Sequence, residues 1–239
     1  YYASRGLGDV YKRQVIDREH RLKGIITVDD IIDVMEEEAT EDMYKFAGTS
    51  EHEIDIAQNV NKTATEQIFS SVRARIPWLI ITLLAGLLSS AILSNLDFIM
   101  NPKYASLVFF IPVVLGMGGN IGTQSSALAV MSLSNKDLEF NNVIREAVVG
   151  IITGIICSLI VSIIVFIFIK DINIVLVVTV SLFINMIVGA MIGGFMPILF
   201  KKLDADPSII SAPVIATVLD ITGITIYLVT TTIILSKIV

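Results

Sequence analysis

One aspartate lies in the middle of a long apolar segment near the C-terminal end of the sequence. Asp220 is the only Asp, Glu, Lys, Arg or His residue between Pro207 and Leu235, a run long enough to cross a bilayer. At a helical rise of about 1.5 Å per residue, its carboxylate falls near the bilayer midplane. A charge at that depth costs on the order of 2.5 to 3.5 kcal/mol. We therefore expect Asp220 to line an ion path; the alternative is a protonated carboxyl group hydrogen-bonded between helices.

A glycine-rich segment in an earlier apolar run is the second candidate for chemistry. Four glycines fall in the seven residues from Gly116 to Gly122, and each costs about 1 kcal/mol inside a helix. Close helix packing explains glycines, but it does not call for Asn120 and Gln124, four residues apart on one helix face. We expect a broken or closely approached helix that lines a conduit, and we expect Pro213 to free a carbonyl one turn earlier. The pore-lining candidates are Gly118, Gly119, Asn120, Gln124, Pro213, Thr217 and Gly223.

Acidic residues crowd a predicted helix near the N-terminal end. A strand from Leu22 to Thr27 precedes it, and Thr27 and Asp30 have the spacing of a capping box. Like charges three or four residues apart destabilise a helix by a few tenths of a kcal/mol per pair, and a divalent cation would relieve that repulsion. A solvated helix face and a metal-sensing face explain the pattern equally well. The sensing candidates are Asp29, Asp33, Glu36, Glu37 and Glu38.

Composition indicates a membrane protein with an acidic head. Hydrophobic residues make up 54% of the 239 residues, and the mean hydropathy is +0.78. Between Asp17 and Glu66 there are 14 acidic and 5 basic residues, which gives this segment a net charge of −9. The whole sequence has a net charge of −6. Scattered basic residues argue against nucleic-acid binding. With Cys157 as the single cysteine, neither an internal disulfide nor a thiolate metal site can form.

The order of segments predicts a mainly α polytopic membrane protein, with five transmembrane helices after a partial α/β unit and a connecting amphipathic helix. Residues 1–14 lack a readable pattern and are interpreted as a non-native leader, 15–50 as the α/β fragment and 51–76 as the connecting helix. Residues 77–239 form the membrane domain, with spans at about 77–96, 104–133, 147–169, 172–200 and 207–235.

Basic residues flanking these spans predict the orientation of the protein. Six lie on one side, Arg73, Arg75, Lys136, Arg145, Lys201 and Lys202, against three on the other, Lys103, Lys170 and Lys237. The positive-inside tendency therefore predicts a cytoplasmic N-terminus and, after five spans, a C-terminus outside.

Several motifs, in this order, resemble the MgtE family of magnesium channels. They are Pro77-Trp78-Leu79, Gly118-Gly119-Asn120-Ile121-Gly122-Thr123-Gln124-Ser125, Asp206-Pro207 and Ala216-Thr217-Val218-Leu219-Asp220-Ile221-Thr222-Gly223. Gly24 to Val34 and Glu38 to Asp42 look like the family's second CBS domain, which identifies 15–50 as its C-terminal part and 51–76 as a plug-like helix. By this resemblance, Asp220 matches the pore carboxylate and Ala216 a pore-facing carbonyl.

The resemblance implies a homodimer in the plasma membrane that takes up Mg²⁺ through a pore at its two-fold interface, lined mainly by the second and fifth spans. Cytoplasmic Mg²⁺, bound by the acidic CBS region, would close that pore. Ala212 and Thr123 stand where the family often has Asn, so this sequence departs from the family's amide lining at both positions. The family's N domain and first CBS domain have no counterpart here. We therefore expect either conduction without normal feedback or a fragment.

The chemistry of Mg²⁺ agrees with this interpretation. Mg²⁺ keeps several water molecules and needs only one or two carboxylates. Two Asp220 carboxylates across a symmetry axis would repel each other unless a hydrated dication lay between them.

Three other functions stay open at this point. An ion-coupled secondary transporter of divalent cations also uses broken helices and midplane carboxylates, although no internal repeat is visible. An intramembrane aspartyl hydrolase needs two carboxylates, and one sequence offers only Asp220 at depth. A purely structural membrane partner leaves Asp220 without a reason. We predict a transporter and not an enzyme.

Overall fold

The architecture is known from a computed structural model, which describes residues 12–47, 63–94, 104–132, 139–203 and 212–236. These residues form one small sheet and six α-helices, five of which are long and apolar enough to cross a membrane. The prediction of a mainly α, polytopic membrane protein with five transmembrane helices is confirmed.

The N-terminal unit is a hairpin followed by a helix. Strand β1 (Lys12–Ile16) pairs antiparallel with β2 (Leu22–Thr27), and helix α1 covers Val28–Phe46. β1 begins inside the segment interpreted as a leader, because backbone pairing to β2 extends to Lys12, opposite Thr27. The predicted capping box is present: the Asp30 N–H donates to Thr27 Oγ1 over 3.3 Å, and the Thr27 N–H donates to Asp30 Oδ2 over 2.8 Å.

The connector and the first span are one helix in the described part of the chain. Helix α2 runs from Ala64 to Ser94 and continues through Pro77. Its membrane-spanning portion is Ser71–Ser94. The part of the predicted connector before residue 63, including Ile56 and Val60 of its apolar stripe, lies outside the described residues.

The remaining spans are four long helices. A 3₁₀ segment, Ala105–Phe110, leads into α3, Ile111–Ser132. Helix α4 covers Glu139–Ile169, α5 covers Ile172–Lys202 and α6 covers Ala212–Ser236. The Asp171 carboxylate accepts the backbone N–H of Asn173 over 2.9 Å and so caps the start of α5.

Helix α5 is the centre of the bundle. It packs against α3, α4 and α6, whereas α2 packs against α6. Fully buried side chains from these elements, such as Leu107, Val178, Leu182 and Tyr227, form the main apolar core. Apolar side chains on α2 and α4 point outward, as with Phe168 at 79% exposure, which is the surface that lipid would cover. The two candidate segments therefore lie on helices that both contact α5.

Candidate functional site

Helix α3 has a buried face and an exposed polar stripe. Gly118, Gly122 and Ser125 are buried in the bundle. Gly116, Asn120 and Gln124, at four-residue spacing, are exposed on the opposite side. The helix is continuous from Ile111 to Ser132, so of the two predicted forms the broken helix is wrong. Intrahelical hydrogen bonds persist through the glycines because neighbouring helices pack directly on the backbone there.

That packing brings the backbones of α3 and α5 close together. A Cβ atom built on Gly189 would lie 2.6 Å from the Gly118 carbonyl oxygen, and one on Gly193 would collide with Gly122. Gly118 itself faces the side chain of Asn185. Small residues on both helices thus permit a contact that any side chain would prevent. Gly119 is half-buried, and a Cβ atom built on it would have no atom of a neighbouring helix within 4 Å.

Helix α6 places Asp220 beside α3. The neighbouring residue, Leu219, is buried and packs on Gly122, which anchors this turn of α6 against α3. Asp220 is half-buried, and so is Ala216 one turn earlier. Asp220 is therefore neither sealed in the core of the helix bundle nor fully exposed.

Pro213 does not interrupt α6. It is the second residue of that helix, in the first turn, where the missing N–H breaks no intrahelical hydrogen bond. The carbonyl that it was expected to free belongs to Ile209, which lies outside the described residues.

Two further candidates on α6 have different surroundings. The Thr217 hydroxyl is buried, with no hydrogen-bond partner within the described ranges. Gly223 is buried against Asn185. On α3, the hydroxyl of Thr123 donates to the carbonyls of Gly119 and Asn120, each over 3.0 Å, so it is satisfied by its own helix.

Within its described residues, this chain does not assemble a complete metal site from ionisable side chains. Among the residues described, no three His, Cys, Asp or Glu side chains converge. Asp220 is the only acidic residue in α6. Any divalent cation held here needs oxygen ligands beyond that single carboxylate, from backbone, amide side chains, water or a second chain.

The sensing candidates lie on the exposed surface of α1. Asp29, Asp33, Glu36, Glu37 and Glu38 are all exposed. A shallow concavity of about 350 Å³ is lined by Asp33, Glu36, Glu37 and Thr40. Further along, Lys45 pairs with Glu41 over 2.8 Å. Hydrogen bonds from the Thr27 hydroxyl, and then from its backbone N–H, hold the pKa of the Asp30 carboxyl below its ordinary value.

The C-terminal end of α1 contacts the beginning of α6. Phe46, the last residue of α1, packs against the cluster formed by Ile215 and Leu219, together with side chains of α5. Through Phe46, the acidic helix therefore contacts the cluster to which Leu219, the residue before Asp220, belongs.

Sequence reasoning missed three buried polar residues whose side chains form hydrogen bonds with α3 or with the 3₁₀ segment that precedes it. Glu146 of α4, 3% exposed, accepts the Ser125 hydroxyl over 2.8 Å. Asn185 of α5 donates to the Val114 carbonyl over 2.6 Å, and Tyr227 of α6 donates to the Leu107 carbonyl over 2.7 Å. Asn185 was detectable from the sequence in the same way as Asp220, because it is a polar side chain in the middle of an apolar span. Glu146 was missed because the third span was begun at Ala147.

Five long apolar helices in the described part of the chain, together with these buried hydrogen bonds, define a multi-pass membrane protein. The sequence profile of the MgtE family, described as a divalent cation transporter, matches residues 111–230. The chain is 34% identical to the magnesium transporter MgtE of Thermus thermophilus over 218 residues, 90% of this chain and 46% of that protein. It is 36% identical over 217 residues to the magnesium transporter MgtE of Bacillus subtilis, covering 89% of this chain and 46% of the relative.

The magnesium transporter MgtE of Enterococcus faecalis is 32% identical over 217 residues, again 89% of this chain and 46% of the relative. The chain thus spans about half the length of the curated relatives it matches. It belongs to the MgtE family, and the resemblance inferred from its motifs is confirmed. Because this is a family of transporters and not of enzymes, the hydrolase alternative loses its support.

Proposed function

We propose that this chain mediates Mg²⁺ uptake across the plasma membrane as a homodimer, with a pore at the two-fold interface lined mainly by α3 and α6. The observation that carries the proposal is the polar stripe of α3, on which Asn120 and Gln124 are exposed although the helix is long and apolar enough to span a membrane. Exposed amides inside lipid are unfavourable, so this face needs water, an ion or a second copy against it.

Asp220 supplies the charge for such a path. It is half-buried on α6, next to the contact between Leu219 and Gly122 of α3. One protomer contributes a single carboxylate at this depth, and a two-fold axis beside it adds an identical second one. A dication that keeps its water shell needs few direct protein ligands, so two carboxylates and nearby backbone carbonyls, that of Ala216 among them, suit Mg²⁺.

The proposed regulation uses Mg²⁺ a second time, on the cytoplasmic side. Mg²⁺ bound among Asp29, Asp33 and Glu36 to Glu38 lowers the repulsion between acidic surfaces and favours closure; when Mg²⁺ is scarce, the surfaces separate and the path opens. The packing of Phe46 on Ile215 and Leu219 supports this coupling, because it joins the acidic helix to α6. More basic residues flank the spans on the side of the membrane where the N-terminus lies than on the opposite side. This excess favours a cytoplasmic N-terminus and an external C-terminus.

The test is Mg²⁺ flux through the purified chain in liposomes, without a proton or sodium gradient. We expect flux from the wild-type protein and its loss in Asp220→Ala, with the dimer still assembled. Asp171→Asn is the matched control, because it changes an aspartate at a helix end while keeping a good N-cap residue.

Unchanged flux in Asp220→Ala would overturn the assignment of this carboxylate. Flux that appears only with an imposed proton or sodium gradient would replace the channel with an ion-coupled transporter. Addition of Mg²⁺ to the cytoplasmic face alone tests the feedback, which should reduce flux in the wild-type chain.

A further inference from the structure

The carboxamide of Asn185 lies inside the membrane domain where α3, α5 and α6 meet. Its side chain is 1% exposed, and Nδ2 donates to the Val114 carbonyl of α3 over 2.6 Å. A buried amide needs such a partner, because no water is available in the bilayer core. This hydrogen bond fixes where the amide group sits relative to α3.

Two glycines on two different helices make room for that amide. A Cβ atom built on Gly118 of α3 would lie 2.7 Å from Asn185 Cγ and 3.0 Å from Oδ1, so close that the amide or the helix would have to shift. A Cβ atom on Gly223 of α6 would lie 3.1 Å from both Nδ2 and Oδ1. The amide therefore fills a socket whose walls are the backbones of α3 and α6, and it keeps those backbones from closing on each other.

We propose that Asn185 is a positioning residue, a spacer that holds α3 and α6 apart at the depth of Asp220. Gly223, on one wall of the socket, follows Asp220 by less than one helical turn. The spacer sets the separation of the two helices that line the proposed path, and so the position of the Asp220 carboxylate on it, without touching the ion itself. This inference rests on the proposed function and concerns the same path.

A spacer and an ordinary stabilising hydrogen bond predict different effects when the Asn185 side chain is removed. If only the hydrogen bond to Val114 matters, its loss changes how much protein folds and leaves the flux per folded dimer unchanged. If the volume of the amide sets the helix separation, its removal lowers the maximal flux. The half-saturating Mg²⁺ concentration then changes little, because Asp220 is intact.

The experiment is a steric complementation in the full chain, with Mg²⁺ flux in liposomes normalised to folded dimer. Asn185→Ala should lower maximal flux about tenfold and shift the half-saturating concentration by less than about twofold. Gly118→Ala should lose at least as much, because its methyl group collides with the amide. The double variant should carry about fivefold more flux than the single variant with the lower flux, since the new methyl group occupies the vacated socket. Coupling of this size is usual for residues in contact.

Gly86→Ala is the matched control. Gly86 is exposed on α2 with no atom within 4 Å of a built Cβ, so this variant should keep wild-type flux. Asn185→Leu separates volume from hydrogen bonding, because leucine has the same branched shape, is no smaller than asparagine and lacks the donor. We expect it to retain more flux than Asn185→Ala. If Asn185→Ala does not fold, Asn185→Ser provides the small side chain for the same comparison.

The failures of the two proposals are distinguishable. If wild-type protein carries flux that Asp220→Ala abolishes, but Asn185→Ala and Asn185→Ser carry full flux per folded dimer, the spacer is overturned alone. Additive losses in the Gly118→Ala, Asn185→Ala pair overturn it as well. If the wild-type chain carries no flux, the proposed function fails, and the spacer's role in transport fails with it.

Discussion

Carboxylates occur in two contrasting regions of this protein, the surface of α1 and the membrane helices. On α1, five acidic candidates are exposed along one helix, in water. In the membrane helices, Glu146 is 3% exposed and accepts hydrogen bonds from Ser125 and Arg145, and Asp220 is half-buried beside α3. Water weakens each interaction on α1 to a few tenths of a kcal/mol, so those acids can act only together.

The membrane carboxylates obey the opposite rule. With little water to solvate a charge, each carboxylate must have specific partners or an ion, and the loss of one group has a large effect. The difference teaches that the number of acidic residues says little about their individual importance. One aspartate on α6 should matter more for transport than five acids on α1.

The largest effect is expected from removing the charge at Asp220 while keeping its shape. Asp220→Asn should reduce Mg²⁺ flux by about a hundredfold or more, because a single midplane charge is worth several kcal/mol. In the same liposome assay, joint neutralisation of Asp29, Asp33, Glu36, Glu37 and Glu38 should leave maximal flux near wild type. Loss of flux in the second variant and not in the first would reverse the comparison between the two regions.

The next effect concerns the buried carboxylate of α4. Glu146→Leu leaves the Ser125 hydroxyl without its acceptor and should destabilise the protein by about 1 to 3 kcal/mol. Glu146→Gln keeps an oxygen acceptor and should lose less. Thermal unfolding of purified protein in detergent measures both, with Ser125→Ala as the partner control. Equal stability of the Leu and Gln variants would show that the tie between α3 and α4 contributes nothing.

A moderate effect is expected on regulation by α1. Neutralisation of all five acidic residues should raise the cytoplasmic Mg²⁺ concentration that half-inhibits flux by roughly two- to tenfold. This shift is the sum of several weak interactions between exposed groups. Glu19→Gln, in the turn between the strands, is the control for a general change in charge. Undiminished inhibition in the neutralised variant would exclude these acids as the sensor.

The smallest effect concerns the cap of α1. Hydrogen bonds from Thr27 lower the pKa of Asp30 below its ordinary 3.8. The carboxylate therefore contributes stability above that ordinary value, and the contribution is lost as pH falls through the lowered pKa. Hydrogen exchange in the first turn of α1 should accelerate over this acidic range. In Asp30→Asn the acceleration should disappear; if it persists, another group is responsible.

Sequence reasoning predicted the elements better than their contacts. Apolar length alone located five spans, because a bilayer requires about twenty residues whatever their neighbours are. The capping box at Thr27 and Asp30 was predictable because it depends on residues three apart. Gly118 and Gly223 were predicted to line the pore, and the structure places both against the side chain of Asn185. Their shared contact with Asn185 could not be predicted, because a third helix brings that residue to them.

The sequence by itself determined that the chain enters a membrane, where its spans lie and which of them carries an isolated carboxylate. Composition and local spacing decide those features, since each depends on the solvent and on nearby residues in the chain. Only the tertiary structure decided that α3 stays continuous, that Glu146 reaches Ser125 and that Asn185 separates two backbones. Contacts between helices depend on rotation and approach, and within a bilayer many apolar surfaces are equivalent, so small residues and a few buried hydrogen bonds select one arrangement.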